Sequence, residues 1–131
     1  MALTSEQYLN SLSNEDQIMH ELSIAVSIVD IAINQAELSN AEKINEVELE
    51  IGQLAGIEME SLNFCFESVC KETIADGAKL SIDEVEALGE CDDCNRRFPV
   101  DNYFAICPDC DGTKVDIVQG KELKIKAIIV D

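Results

Sequence analysis

The chain has 131 residues, enough for one domain or for a small domain that carries a smaller module. Its 27 acidic and 9 basic residues give a net charge of −18, which argues against a protein that binds nucleic-acid phosphates or an anionic membrane surface. The hydrophobic fraction of 47% is that of a folded globular protein. No basic or apolar leader opens the sequence, and Asp30 interrupts its longest apolar tract, so a cytoplasmic protein without membrane spans is expected.

The first helix is predicted from an apolar stripe. Residues 1–18 are polar, and "SLSNEDQI" is typical of a helix start with Ser13 or Asn14 as its cap. From residue 22 onward, apolar side chains recur at the i, i+3, i+4 and i+7 spacing of one helical face. They are Leu22, Ala25, Val26, Val29, Ala32, Ile33 and Ala36, with Ile24, Ile28 and Ile31 widening the stripe. This helix should end near "ELSNAE" and pack broadly against a sheet.

Alternating and helical patterns follow one another in the rest of the chain. "INEVELEIG" alternates apolar residues with glutamates, which predicts a half-buried strand with one solvated acidic face. "MESLNFCFESVCKET" has helical spacing, residues 79–86 and "KELKIKAIIVD" alternate again, and a slip at Asp83 and Glu84 suggests a bulge. Three strands and two helices predict an α+β fold, a small three-stranded sheet packed by two helices on one side.

Two C-x-x-C pairs lie between the second and the last of these strands: "CDDC", with Cys91 and Cys94, and "CPDC", with Cys107 and Cys110. Each pair lets two thiolates converge on one ion, and two pairs make the tetrahedral sulfur cage that Zn²⁺ favours, with no open coordination position. In a reducing cytoplasm, metal ligands are favoured over disulfides. Residues 89–116 are therefore predicted to be an inserted zinc-ribbon-like module that its metal stabilises.

Other uses of paired cysteines fit the sequence less well. A thioredoxin-like redox pair needs one active pair in a βαβ context, whereas these pairs lie in a stretch rich in Gly and Asp. A rubredoxin-like iron site would make the protein an electron carrier, and its visible absorption would reveal it. A nucleic-acid-binding ribbon is disfavoured because acidic side chains outnumber basic ones in residues 90–116.

Further predictions concern side chains near the paired cysteines and on the second helix. Phe98, Tyr103 and Phe104 are predicted to form the apolar cluster of the module. Cys65 and Cys70 lie on the second helix, with Cys65 on its apolar stripe. They are predicted to be free thiols in the core rather than metal ligands.

A family resemblance covers residues 19–131. "MHELS" followed by a long amphipathic helix resembles the start of the hydrogenase-maturation nickel metallochaperones (the HypA/HybF family), whose chains begin with Met-His-Glu. "VELEIGQLAGIEMESLNFCFESVCKETIADGAKLSIDEVEA" resembles that family's strand, helix and strand, "CDDC…CPDC" its zinc module, and "VQGKELKIKAIIVD" its closing strand. Residues 1–18 lie outside this resemblance and are interpreted as a wrong start or a disordered extension.

The resemblance implies a nickel-binding α+β domain, residues 19–88 plus 117–131, with a zinc-binding module at residues 89–116. The function it implies is delivery of Ni²⁺ to the precursor of the [NiFe]-hydrogenase large subunit, and in some organisms service to urease, with a maturation GTPase as partner. A monomer or weak homodimer that is not itself an enzyme is expected. The sequence shows no catalytic dyad, nucleophile motif or phosphate-binding glycine loop.

The same resemblance implies a nickel site at Met19, His20 and Glu21. With Met19 first, its α-amine, the amide and imidazole nitrogens of His20 and the amide of Glu21 form a planar nitrogen set that suits Ni²⁺ or Cu²⁺ better than tetrahedral Zn²⁺. Glu58 occupies the position where some members of the family carry an acid implicated in nickel handling. Its alternative role is that of a helix N-terminal acid favoured by the helix dipole.

In this chain Met19 is internal, so its amine is not free. Three explanations are open: a start codon placed too early, processing that exposes Met19, or an extension that weakens nickel binding. The first is favoured because a start at Met19 gives the length of the family. If the extension is retained, the alternative function is a zinc-ribbon interaction adaptor without nickel binding.

Overall fold

The computed structural model describes residues 2–4 and 17–131, with side chains from His20 onward. In chain order the elements are β1 (Ala2–Thr4), α1 (Gln17–Leu38), β2 (Ile44–Gly52), α2 (Met59–Cys70), β3 (Lys79–Val85), β4 (Leu88–Cys91), β5 (Arg97–Pro99), β6 (Val115–Gln119) and β7 (Leu123–Val130). The strands form one sheet of order β1-β7-β2-β3 and a second of order β5-β4-β6. Within these ranges, none of the helices has the length and apolar character needed to cross a membrane.

The larger sheet has the predicted α+β architecture and one additional edge strand. β2 and β3 are parallel and joined by α2, while β7 pairs antiparallel with β2. β1 pairs antiparallel with the other edge of β7. α1 packs against α2, β2 and β7, and the helices share one core with Val47, Leu49 and Ile51 of β2. The predicted fold class is confirmed, and the fourth strand comes from a segment that the sequence left outside the fold.

α1 begins earlier than the apolar stripe and ends at a defined cap. It starts at Gln17, and the predicted cap residues Ser13 and Asn14 lie outside the described residues. At the other end Asn40 has a φ of 58°, and the N–H of Ala41 donates to the carbonyl of Ala36 at 2.9 Å. A left-handed Asn with this hydrogen bond is a common helix C-terminus, and it ends the helix near the predicted place.

The buried face of α1 is rotated from the predicted stripe. Its buried side chains are His20, Glu21, Ile24, Ala25, Ile28, Val29, Ala32 and Ala36. Leu22 and Val26, which were predicted in the core stripe, are 36% and 40% exposed, so that part of the prediction is wrong. The middle of the helix is apolar on most sides, and packing against α2 and the sheet decides which side faces inward. The rotation also buries His20 and Glu21, the two polar residues that directly precede the predicted stripe.

The acidic face of β2 and the neighbouring edge strand β3 each differ from their predictions. Glu50 is half-buried, and Lys124 lies 3.4 Å from it in an ion pair, so the acidic face of β2 is partly covered. The predicted bulge at Asp83 and Glu84 is wrong, because both residues keep the regular parallel register with β2. β3 is an edge strand with no fully buried residue, so its side chains need not alternate to satisfy a core.

The smaller sheet has its own core. This core consists of Ala87, Cys91, Phe98, Val100 and Cys107. Phe98 is 6% exposed, as predicted, whereas Tyr103 and Phe104 are 52% and 93% exposed, so their predicted place in the cluster is wrong. Both lie in the loop after β5, where no strand covers them, and smaller side chains fill the core instead.

Candidate metal sites

The two C-x-x-C pairs fold into turns with the same backbone hydrogen bonds. The N–H of Asn95 donates to the carbonyl of Cys91 at 2.8 Å, and the N–H of Asp111 donates to the carbonyl of Cys107 at 3.0 Å. In both turns the N–H of the leading cysteine donates to the carbonyl five residues later at 2.9 Å. Asn95 and Asp111 have positive φ values of 60° and 58°, which Asn and Asp tolerate better than most residues. Both pairs therefore present their sulfurs in the same way.

The four thiols of these turns converge on one point. The Sγ atoms of Cys91 and Cys110 lie 3.6 Å apart, those of Cys94 and Cys107 lie 3.5 Å apart, and all four lie within 4.8 Å of one another. A tetrahedral ion with metal–sulfur bonds of about 2.3 Å holds its sulfurs about 3.8 Å apart. None of these cysteines is in a disulfide. The donor set and its spacing fit one tetrahedral metal ion.

The thiols differ in pKa because they share a small space. Burial alone would raise the pKa of the Cys107 thiol, but the backbone amides of Cys110 and Asp109 outweigh it and lower the pKa to about 7. At Cys110 the amide of Gly112 acts to lower the pKa, but the Cys91 thiol and burial prevail and raise it to about 12. Four thiolates this close repel one another, and a divalent cation relieves that repulsion.

One glycine lies against the sulfur cluster. A Cβ added at Gly112 would lie 2.9 Å from Oδ2 of Asp93, 3.2 Å from Sγ of Cys110 and 3.4 Å from Sγ of Cys91. The carbonyl of Gly112 also accepts the N–H of Cys107 at 2.9 Å. A side chain at this position would therefore crowd two of the four sulfurs and displace the carboxylate of Asp93.

The histidine and glutamate of "MHELS" both turn inward. His20 is 8% exposed, and its Nδ1 has no hydrogen-bond partner, which is true of no other buried side-chain nitrogen or oxygen in the described part of the chain. Glu21 is 1% exposed, and its Oε2 accepts the backbone N–H of Glu58 at 3.1 Å. A buried carboxylate is costly without compensation, and here the N-terminal end of α2 supplies both a donor and a favourable dipole.

Glu58 is the N-cap of α2. Its carboxylate accepts the N–H of Glu60 at 3.2 Å and the N–H of Ser61 at 2.8 Å, and its backbone is extended. Hydrogen bonds from the side chain and backbone of Ser61 and from the backbone of Glu60 lower the pKa of the Glu58 carboxyl below 4.5. The role of helix N-terminal acid, predicted as the alternative for this residue, is present in the structure.

The residues predicted to bind nickel are brought together only in part. Glu21 and Glu58 are joined by the hydrogen bond described above. Among the side chains described, the four cysteines form the one group of three or more donors close enough to hold a metal ion, and His20 and these carboxylates do not form another. The backbone of Met19 is helical, and its side chain lies outside the described residues. In a helix that begins at Gln17, the N–H of Glu21 faces the carbonyl of Gln17.

The structure also shows a contact between the loop after β2 and the loop after β5 that the sequence did not predict. The hydroxyl of Tyr103 donates to the carbonyl of Leu54 at 2.8 Å, and the side chain of Leu54 packs against the core of the module. Leu54 lies in the loop between β2 and α2, far from Tyr103 in the sequence. Neither residue belongs to a motif, so no local signal could have identified the pair.

The two cysteines of α2 are free thiols, as predicted. Cys70 is 2% exposed, and burial together with the charge of Asp76 raises the pKa of its thiol to about 11. Cys65 is half-buried beside the core. Neither belongs to the four-thiol cluster.

The fold and this cluster define a small α+β protein with an inserted four-thiol metal module. Residues 19–130 match the profile of the family described as "Hydrogenase/urease nickel incorporation, metallochaperone, hypA". The hydrogenase maturation factor HypA of Chlorobium phaeobacteroides (strain BS1) is 49% identical over 113 residues, 86% of this chain and 100% of that protein. HypA of Pelodictyon phaeoclathratiforme (strain DSM 5477 / BU-1) is 46% identical over 113 residues, 86% of this chain and 97% of that protein.

A solved solution structure of a HypA protein shares the fold. Its TM-score is 0.66 at 26% identity, over 86% of this chain and 97% of that one. The chain belongs to the hydrogenase/urease nickel-incorporation metallochaperone family. The predicted function of a nickel metallochaperone in hydrogenase maturation is thereby confirmed.

Proposed function

We propose that the chain holds its Ni²⁺ cargo at Met19, His20 and Glu21, at the N-terminal end of α1. The observation that carries this proposal is the buried Nδ1 of His20, which has no hydrogen-bond partner. An orphaned buried nitrogen is costly to a folded protein, and metal binding is one function that offsets such a cost. Nδ1 is also the imidazole nitrogen that closes a six-membered chelate ring with the His20 amide.

A free amine at Met19 is required for the full set of nitrogen donors. Its α-amine, the His20 amide and imidazole and the Glu21 amide then form a planar set of the kind that Ni²⁺ prefers. The amides of the first helical turn have no intrahelical acceptor, so they are available when the chain begins at Met19. The family match also begins at residue 19, and we propose that the nickel-competent form begins there.

Glu58 is proposed to assist nickel handling from the N-terminus of α2. Its backbone N–H is bonded to Glu21, so it lies beside the proposed cargo site. Its carboxylate is exposed, and its hydrogen bonds to Ser61 and Glu60 lower its pKa, which favours the ionised form. Two helix amides already occupy this carboxylate, so direct nickel binding would have to displace at least one of them.

The four cysteines Cys91, Cys94, Cys107 and Cys110 are proposed to bind Zn²⁺ as a structural ion. Four thiolates close the coordination sphere, and such sites serve folding rather than catalysis or transfer. On this proposal residues 89–116 are the zinc-binding module, and residues 19–88 plus 117–131 are the nickel-binding domain. Zinc gives a colourless protein, whereas a rubredoxin-like iron site would absorb in the visible region.

The recipient of the nickel is proposed to be the large-subunit precursor of a [NiFe]-hydrogenase, with urease as a further client. The family's own description supports both. Because the sequence contains no phosphate-binding glycine loop, nucleotide hydrolysis is assigned to a maturation GTPase partner. We propose that the protein works in the cytoplasm as a monomer or weak homodimer and is not an enzyme.

The test is a nickel titration of four proteins, the chains from Met1 and from Met19, each with and without His20→Ala. The Met19 form should bind nickel more tightly than the Met1 form, and His20→Ala should abolish that binding. Zinc content, measured in the same samples, should stay constant in all four. Unchanged nickel affinity after His20→Ala in the Met19 form would refute the proposed site.

One observation favours the adaptor function for the chain that begins at Met1. Its α1 begins at Gln17, so the amide of Glu21 is committed to the helix and no amine is free at Met19. This form should keep its zinc and bind the maturation partners without carrying nickel. Equal nickel affinity of the two forms would exclude this division of function.

A further inference from the structure

The loop that leads to Glu58 contacts the module of residues 89–116 near the end of the loop that lies away from Glu58. This loop, residues 53–57, joins β2 to the N-cap of α2. Both backbone polar groups of Leu54 are bonded outside the loop: its N–H donates to the carbonyl of Gly120 at 2.7 Å, and its carbonyl accepts the hydroxyl of Tyr103 at 2.8 Å. The loop is therefore anchored by Tyr103, which belongs to the module, and by Gly120, in the turn between β6 and β7.

Side-chain contacts add to this anchor without filling the space beside it. Leu54 packs against the core of the module, and Oε1 of Gln53 accepts the N–H of Ala87 at 2.9 Å. An open groove of about 340 Å³, lined in part by Val100 and Asp101, lies beside this loop. The N–H of Gln53 donates to the carbonyl of Val85 at 2.9 Å, so the two bonds to Leu54 act together with a bond to β3 in restricting the loop.

The other end of the loop reaches the proposed nickel site. Ile57 packs against the main core, and the N–H of Glu58 donates to the buried carboxylate of Glu21 at 3.1 Å. Glu21 follows His20 directly in α1. A displacement of Leu54 would therefore pass through the backbone of residues 55–57 to Glu58 and, through the Glu58 N–H, to the carboxylate of Glu21.

We propose that Tyr103 is a positioning residue of the nickel site. Its hydroxyl fixes Leu54 and so sets the position of Glu58 and, through the Glu58 N–H, of Glu21. The effect on nickel rests on the function proposed above, whereas the effect on the loop does not. Tyr103 is 52% exposed, so its ring contributes little packing, and Tyr103→Phe removes the hydrogen bond while it keeps the ring.

The loop itself is tested by backbone amide hydrogen exchange on the full 131-residue chain. Tyr103→Phe should accelerate exchange at Leu54 and Glu58 roughly three- to tenfold, the effect of losing one ordinary hydrogen bond. Exchange at Leu49, in the middle of β2, should not change. Phe104→Leu is the matched control, because Phe104 is adjacent, 93% exposed and outside the proposed anchor. Unchanged exchange at Glu58 in Tyr103→Phe would overturn the proposal.

The nickel effect is tested by titration of the chain from Met19. Tyr103→Phe should weaken nickel binding roughly three- to tenfold at unchanged zinc content, because a smaller fraction of the protein holds the binding-competent loop. Leu54→Ala should weaken it further. In a Glu58→Ser background, Tyr103→Phe should have a smaller effect, since residues that act through one another are not additive.

The two proposals fail in distinguishable ways. Normal nickel affinity in Tyr103→Phe, with binding abolished by His20→Ala, overturns the positioning role alone. Unchanged affinity in His20→Ala overturns the nickel site, and with it the nickel part of this inference. An equal effect of Tyr103→Phe with and without Glu58→Ser would overturn the route through the Glu58 carboxylate and leave the route through its N–H to Glu21, which the serine variant retains.

Discussion

The buried carboxylate of Glu21 provides the sharpest test of how α1 and α2 are held together. Glu21 is 1% exposed, and its one described hydrogen bond is to the N–H of Glu58 at 3.1 Å. Glu21→Ala removes this bond and leaves a buried space next to the start of α2. A hydrogen bond to a charged group contributes about 1.5–3 kcal/mol, and part of its loss is offset because the variant no longer buries a carboxylate away from water. We therefore expect a net destabilisation of about 2 kcal/mol.

The measurement is urea unfolding followed by circular dichroism, with the zinc content held fixed. Small domains have urea m-values of about 1–3 kcal/mol/M, so Glu21→Ala should lower the midpoint by roughly 1 M. Glu21→Gln keeps the shape and an acceptor oxygen, and its midpoint should lie close to that of the wild type. Glu67→Ala, an exposed glutamate on α2, is the surface control. A wild-type midpoint for Glu21→Ala at unchanged m would show that the buried bond contributes nothing.

The same variants separate the backbone of Glu21 from its side chain in nickel binding. The proposed site uses the Glu21 amide, and the carboxylate is committed to the start of α2. In the chain from Met19, Glu21→Gln should therefore leave nickel affinity unchanged. A tenfold loss in this variant would identify the carboxylate as a nickel ligand and contradict the nitrogen set.

Three further changes test the cap of α2 and the proposed zinc-binding module. Glu58→Ala should lower the melting temperature, whereas Glu58→Ser, which restores a capping side chain, should not; both should weaken nickel binding if the carboxylate handles the ion. Because the folded-state pKa of Glu58 is lowered from 4.5, its contribution is present above that pH and is lost as the pH falls below it, so acid unfolding curves of wild type and Glu58→Ala should converge. Cys107→Ala should release zinc and unfold residues 89–116 while the helices stay folded; collapse of the whole fold, seen in NMR spectra, would disprove that separation. Gly112→Ala should lose zinc to a chelator sooner than wild type, since its methyl group would lie 3.2 Å from a ligand sulfur.

Much of the fold could be read from local patterns. Alternation in β2 and the helical spacing of α2 specify elements whose buried side chains lie where the patterns place them, as Leu49 and Phe66 show. In β7 the alternation holds only up to Ile125, because a register shift against β2 brings Ile128 and Val130 into the core instead of Ala127 and Ile129. Prediction failed where a helix is apolar on most sides, as in α1, and where a strand lies at the edge of a sheet, as β3 does. The apolar middle of α1 did not fix which side is buried, so Leu22 and Val26 were misplaced. On the edge strand β3, a break in alternation did not mark a bulge.

The two proposed metal sites differ in how much of each could be predicted from the sequence. For the four cysteines, spacing was sufficient, because a C-x-x-C turn is a local structure and its sulfurs converge wherever two such turns meet. For His20, Met-His-Glu could indicate a site only by resemblance, because its proposed donors include backbone nitrogens that any sequence has. The burial of His20 and the hydrogen bond between Glu21 and Glu58 depend on how α1 lies against α2.

The sequence by itself determined the two helices, three strands of the larger sheet (β2, β3 and β7), the four-thiol cluster and the family to which the chain belongs. These features depend on residue type and short spacing. Only the tertiary structure decided that Glu21 is buried at the start of α2, that β1 adds a strand to the sheet, and that Tyr103 reaches the carbonyl of Leu54. Such contacts join residues far apart in the chain, and they form where packed elements bring a donor within reach of an acceptor, which no local pattern records.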